Sequence, residues 1–379
     1  MEESVNNSTP LTHSLVIGLL IAISGVAAIE FGLSAAVLEI LMGFTARNII
    51  GIYEAEWVEF IAEFGLITLM FIAGFEVDIP ILRKNLFKST VVGGFSFLIP
   101  FAGAFLLSML LGMGERKSLI FAVAMSTTSL ALVFPVLRER GMLTSNPGQF
   151  LLSSAMIVDI LSVVALLLFF IEPGWHLLWG AIAIFLIFIF APGISRMLFG
   201  RWRGNVVEME VRFILFSLLA LLFIANYSEV HGALTGFIFG AVMGSTVRKH
   251  FQVEEKIRSI VFSFFAPVFF FRAGTMMDIS QIGWQDGFYF LIFTPVAFVL
   301  KYGATYHPFK YFKCEVAKFA ATLFNYRLSF AIVAALFGLE TELISSGEYS
   351  AIMCIVLITS LLTAILLKFK PDAAHPMTE

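Results

Sequence analysis

Apolar runs long enough to cross a lipid bilayer recur along nearly the whole chain, from about Leu15 to Leu367, with only short polar breaks between them. A segment surrounded by hydrocarbon must satisfy its backbone polar groups internally, and runs of about twenty residues do this as helices. The chain therefore reads as an all-α polytopic membrane protein with about thirteen transmembrane helices. They are centred roughly on residues 22, 42, 67, 99, 127, 160, 184, 218, 239, 266, 292, 326 and 358. A composition that is 59% hydrophobic and 13% charged, with mean hydropathy +0.93, excludes an ordinary soluble domain. The expectation is a single transmembrane domain over residues 1–379 with no soluble regulatory module, because only about ten residues follow the last span.

The charges sort by side. Lys84 and Lys88, Arg138 and Arg140, Arg196 and Arg201, Lys256 and Arg258, Lys310 and Lys313, and Lys368 fall at alternate connections. The intervening connections carry mainly acids such as Glu340 and Glu342, with Arg116 and Lys117 as exceptions. Basic residues mark cytoplasmic loops, so the C-terminus is expected in the cytoplasm and, with an odd span count, the N-terminus outside a cell membrane crossed many times. Cys314 and Cys354 have no CxxC spacing and no histidine partners, which reads as structural rather than metal-binding.

Six spans reach Phe170, a linker helix and loop occupy residues 171–210, and six more spans fill 211–370. The first set starts outside and the second inside, which is the inverted-repeat arrangement of many secondary transporters. Polar runs interrupt equivalent spans of the two sets: Ser126-Thr127-Thr128-Ser129 in one, Asn325-Tyr326-Arg327-Leu328-Ser329 in the other. Such matched interruptions predict two broken helices crossing at a binding site, with hydroxyls satisfying the freed backbone.

Asp159 is the aspartate placed deep inside a span, where a carboxylate costs about 2.5–3.5 kcal/mol on insertion scales. Ser162 shares its helical face one turn away, whereas Ala155 occupies the other near position. A cation at Asp159 then needs oxygens from a crossing segment, which Thr127 and Thr128 would supply. An oxygen-only site suits a hard monovalent ion. One such carboxylate holds either a proton or a cation. Three cations within spans are expected charge partners: Lys301 as an ammonium that pairs with Asp159 when no ion is bound, and Arg327 and Arg272 as fixed structural partners. Glu39, Glu63 and Glu229 are the acids expected to pair with the two arginines.

Several segments together resemble a known family. AEFGLITLMFIAGFEVDIPILRKN (62–85) and STTSLALVFPVLRERGMLTSNPGQFLLSSAMIVDILSV (126–163) are similar to signatures of the second branch (CPA2) of monovalent cation:proton antiporters. HGALTGFIFGAVMG, APVFFFRAGTMMDI and YRLSFAIVAALFGLETELIS are similar to later signatures, in the same order. The resemblance implies the sodium/proton antiporter fold, a homodimer whose protomers have an interface domain and a six-helix core with two crossed, unwound helices. It implies that Asp159 binds the ion, that Thr127 and Thr128 line the site, and that Lys301 faces it. Two positions depart from the family pattern. Valine stands at 158, where members carry Asp, Asn or Gln before the binding aspartate. Arg327-Leu328-Ser329 stands where members carry Arg-Gly-Glu.

The sequence reading is thus a secondary active antiporter that exchanges sodium, lithium or potassium for protons, sodium first among them, and probes no chemical step. No enzyme activity, cofactor or nucleic-acid partner is expected; the partners are the ions, the lipid bilayer and a second copy. Its rivals are a potassium/proton efflux antiporter of the same fold and a non-transporting membrane receptor or scaffold derived from it.

Overall fold

A computed structural model describes residues 9–52, 56–76, 82, 84–143, 145–170, 175–201, 207–228, 232–247 and 251–368. Among them every regular element is helical. The helices are α1 (Thr9–Phe31), α2 (Ala35–Thr45), α3 (Glu56–Phe75), α4 (Leu86–Leu110), α5 (Glu115–Ser126), α6 (Leu130–Glu139), α7 (Asn146–Phe170) and α8 (Trp175–Arg201). They continue as α9 (Met209–Tyr227), α10 (Gly232–Val247), α11 (Phe251–Ile260), α12 (Ala266–Thr275), α13 (Trp284–Tyr311), α14 (Ala317–Leu323), α15 (Ser329–Glu340) and α16 (Ser346–Lys368). A π turn, Ala46–Ile50, prolongs α2, and another, Val261–Phe265, joins α11 to α12.

Nine helical stretches among the described residues are long and apolar enough to cross a membrane. Of the remaining four expected centres, residues 42 and 239 fall on the shorter helices α2 and α10, and 127 and 326 fall between the short helices of the α5–α6 and α14–α15 pairs. Length alone therefore does not reproduce a count of thirteen. The physical reason at 127 and 326 is that each span is cut in two.

The chain divides into two compact units. One takes positions 1–78 and 171–275, the other 79–170 and 276–379. In the first unit, α2 packs on α12 and α3 on α10. Glycines let these backbones meet: a Cβ added to Gly43 would lie 1.9 Å from the carbonyl oxygen of Phe271, and one on Gly274 2.0 Å from that of Ile40. The α3–α10 crossing is built likewise, with 1.8 Å at Gly74 and 2.0 Å at Gly240. Small residues at such crossings replace the hydrophobic driving force that lipid removes. Ion pairs then join Glu59 to Arg272 (2.7 Å), Glu76 to Arg258 (2.7 Å) and Glu208 to Lys256 (2.6 Å).

In the second unit, α4, α7, α13 and α16 surround the two broken pairs. Helix α16 starts with a reciprocal cap: Ser345 N–H donates to Glu348 Oε2 at 2.8 Å, and Glu348 N–H to Ser345 Oγ at 3.1 Å. Lys117, near the start of α5, donates to the same carboxylate at 2.8 Å. At the other end of α16, Arg140 Nη2 donates to the terminal carbonyl of Leu367 at 2.7 Å. These contacts pin the outer ends of the first broken pair to the last helix and leave its middle to the site.

Candidate functional site

Helix α5 ends at Ser126, and its chain turns extended through Thr127 (ψ 160°) and Ser129 (ψ 106°) before α6 begins. Helix α14 ends at Leu323, and residues 324–328 run unwound to the start of α15. Both expected interruptions are present. Unwinding is tolerated in a membrane only where protein or water satisfies the freed groups, and here the two segments satisfy each other. Thr128 Oγ1 donates to Phe324 O at 3.1 Å, Ser129 N–H donates to Tyr326 O at 2.7 Å, and the hydroxyls of Ser129 and Ser329 lie 2.8 Å apart. All of these side chains are buried.

The severed end of α5 leaves carbonyls with no intrahelical partner, at the negative end of the helix dipole. Two buried cations meet them. Lys301, on α13, donates from Nζ to Ser126 O at 2.5 Å and to Ser96 O of α4 at 3.0 Å. Arg327 donates from Nε to Met125 O at 2.9 Å and from Nη2 to Ala297 O of α13 at 2.6 Å. Both side chains are fully buried. One cation comes from an intact helix and the other from the opposite break, so the break is capped by its own partner.

Asp159 lies on α7 with 1% of its surface exposed. Helix α7 packs against α5, α6 and α15, which brings it to both broken pairs. The charges acting on Lys301 are those of Arg327 and Asp159. The second unit thus gathers Asp159, Thr127, Thr128, Lys301 and Arg327 around one crossing. Ser162 turns its hydroxyl to its own helix, donating to Val158 O at 2.8 Å. Thr127 makes a long bond of the same sort, 3.4 Å to Ala124 O.

Arg272 belongs to the first unit, where it pairs with Glu59 at 2.7 Å. Among the described residues the ion pair is with Glu59, not with the expected Glu39 or Glu63. Glu63 lies one turn further along α3 than Glu59, while Glu39 is buried on α2. Glu229 lies outside the described residues. For Arg327 the expected acids give way to backbone carbonyls, which serve a guanidinium as acceptors without adding a second buried charge.

Residues the sequence reading passed over complete the arrangement. Ser96 holds Lys301 through its carbonyl and binds Thr305 through its hydroxyl at 2.9 Å. Thr305 lies one turn beyond Lys301 on α13, a spacing that would have put it on the lysine's face. Ser129 and Ser329 were visible as hydroxyls, but their pairing was not. Among the described residues, the groups at the crossing that could ligate a cation are hydroxyl, carbonyl and amide oxygens and the carboxylate of Asp159. It can hold a proton or a dehydrated monovalent cation, and no cluster of His, Cys, Asp and Glu among the described residues could hold a transition metal.

Comparison with known proteins gives the family and the fold. The family described as "Sodium/hydrogen exchanger, transmembrane" matches residues 12–369. A Methanocaldococcus jannaschii protein named "Probable Na(+)/H(+) antiporter 3" is 27% identical over 341 residues, covering 87% of each chain. The Na(+)/H(+) antiporter of Enterococcus hirae is 25% identical over 361 residues, covering 90% of this chain and 92% of that one. Among solved structures, the sodium proton antiporter MjNhaP1 of M. jannaschii superposes with TM-score 0.69 at 15% identity over 95% of this chain and 96% of its own.

Proposed function

The chain belongs to the sodium/hydrogen exchanger transmembrane family, and from that premise we propose that it is a secondary active antiporter exchanging sodium for protons by alternating access. The observation that carries the proposal is a buried carboxylate, Asp159, on a helix packed against both broken pairs, beside a cut end of α5 whose carbonyls are met by Lys301 and Arg327. Relatives named as Na(+)/H(+) antiporters along most of the chain support the choice of ions.

In this reading Asp159 is the shared site. Ionised, it holds a dehydrated cation with help from Thr127, Thr128 and Ser162; protonated, it returns empty of the cation. The carboxylate thus crosses with either a cation or a proton on it, so an uncompensated negative charge is avoided in both crossing states. Lys301 and Arg327 hold the carbonyl ends of the break in place, and Arg272 steadies the other unit through Glu59. The second unit carries the site and changes the side of the membrane it faces. Nothing in the cycle breaks a covalent bond, so the protein is proposed as a transporter without enzyme activity or cofactor.

The protein is further proposed to work as a homodimer in the cell membrane, with the N-terminus outside and the C-terminus in the cytoplasm, as the alternation of basic loops directs. Purified protein in proteoliposomes tests the function directly. Proton flux driven by added sodium is the expected result. Flux with potassium alone would move the assignment to a potassium/proton exchanger, and flux with none of sodium, lithium and potassium would favour the receptor or scaffold.

A further inference from the structure

Asn325 stands two residues past the end of α14, in the unwound stretch that crosses the site. It is fully buried. Its Nδ2 donates to Ala321 O at 3.0 Å, which orients the amide. Its Oδ1 accepts no hydrogen bond from any described residue. An amide oxygen is a strong acceptor, and folded interiors rarely leave one buried and unserved without a reason.

Its neighbours fix where it stands. The carbonyl before it, Phe324 O, accepts from Thr128 Oγ1 at 3.1 Å, and the carbonyl after it, Tyr326 O, accepts from Ser129 N–H at 2.7 Å. Asn325 is therefore held between two stitches to the segment that contributes Thr127 and Thr128. The two cut helix ends also differ. Cations meet the carbonyls at the end of α5, whereas the donors meeting Ala321 O and Phe324 O at the end of α14 are an amide and a hydroxyl, both neutral. The end of α14 keeps the partial negative charge of a helix C-terminus and adds an unserved amide oxygen to it. Concentrated neutral oxygens are what a hard monovalent cation takes as ligands.

We infer that Oδ1 of Asn325 is a ligand of the transported cation, a neutral oxygen at the cut end of α14 that supplements Asp159. This rests on the proposed antiporter function. The role also fits Val158, which brings no oxygen to the site from α7. A neutral ligand adds coordination without adding charge, so the cation is bound more completely while the charge moved per cycle is unaltered. The rival arrangement is an ordered water serving Asn325 Oδ1 and Arg327 Nη1, which likewise has no partner among the described residues. That arrangement makes Asn325 important for stability and indifferent to which cation is present.

The test uses the full chain, with two readouts: exchange kinetics in proteoliposomes, and the rise in melting temperature on adding lithium, sodium or potassium chloride to purified protein. Asn325→Ala should raise the apparent cation KM about tenfold with the maximal rate within about twofold, and should shrink the sodium-induced rise in Tm. Asn325→Asp, nearly isosteric, should lower the KM and change the order of preference among the three cations. Unchanged KM, cation order and cation-induced Tm in the folded variants overturn the inference. If the alanine variant does not fold, the aspartate variant decides alone. Wild-type protein that exchanges no cation would sink the antiporter reading, while the Tm series would still report on Asn325; active wild type with unaltered variants sinks this inference only.

Discussion

The two units hold their central crossings together by opposite means. In the first, α2 meets α12 and α3 meets α10 at glycines, backbone against backbone, with no polar side chain required at the contact. In the second, the crossing of the two broken pairs is a mesh of hydroxyls, freed carbonyls and two buried cations. Close packing without polar groups is stiff and carries no charge. A polar mesh can exchange partners, and it can offer oxygens to an ion. The difference is what the proposed function draws on: in that reading the unit built on glycines is the scaffold and the unit built on severed helices is the carrier.

Substitutions can break that contrast, and the largest effect is expected at the carboxylate. Asp159→Asn keeps the shape and removes the charge, so exchange in proteoliposomes should fall by at least about a hundredfold while yield and Tm are preserved. Neutralising a buried ionisable group costs the fold little, and Tm is expected to stay level or rise. Near wild-type exchange in this variant would remove Asp159 from the mechanism.

The scaffold should answer in the reverse way. Gly274→Val places a side chain where the carbonyl of Ile40 already lies 2.0 Å from a Cβ, so the crossing must open. Overpacking of this kind costs about 1–3 kcal/mol or more, and the expected result is a lower Tm and yield. In the fraction that folds, the cation KM should be near normal. A changed KM with an unchanged Tm would erase the distinction between the two units.

A smaller effect is expected at Thr128. Valine conserves the volume and deletes the hydroxyl that serves Phe324 O at 3.1 Å. A neutral hydrogen bond is worth about 1 kcal/mol, which is roughly a fivefold rise in apparent cation KM, with the maximal rate less affected. An unaltered KM would show that the crossing does not need this stitch to shape the site.

The smallest effect is a predicted absence. With one carboxylate at the centre of α7 and valine at 158, exchange of one cation for one proton should be electroneutral, provided Lys301 keeps its charge state through the cycle. A membrane potential imposed at zero ion gradients should then drive no net proton movement. Potential-driven flux would mean that a second group changes charge, and Lys301, already bound to Ser126 O and Ser96 O, would be the first to examine.

Much of this was legible in the amino-acid sequence because hydropathy and the cost of charge in hydrocarbon are local properties. Eleven of the expected span centres fall on helices and the other two, residues 127 and 326, fall in the breaks themselves, where the polar interruptions lie. Asp159 stood out for the same reason, since a carboxylate among SSAMIVDILSVVALLLFF is anomalous whatever surrounds it. Partnership was not legible. The sequence offers Glu39, Glu63 and Glu229 as acids for the arginines with no means of pairing them, and among the described residues Arg272 pairs with Glu59, because facing depends on how α3 and α12 pack. Lys301 and Arg327 find backbone carbonyls of Ser96, Ser126, Met125 and Ala297, groups that every residue carries and that no sequence pattern marks. Asn325 looked like one more polar residue in an interrupted span until its amide oxygen proved buried without a donor. Sequence determined which segments enter the membrane, where two of them break and which charge is out of place. Only the tertiary structure decided which oxygens and cations meet, because a hydrogen bond between residues about two hundred positions apart is set by packing geometry and not by the identity of either residue.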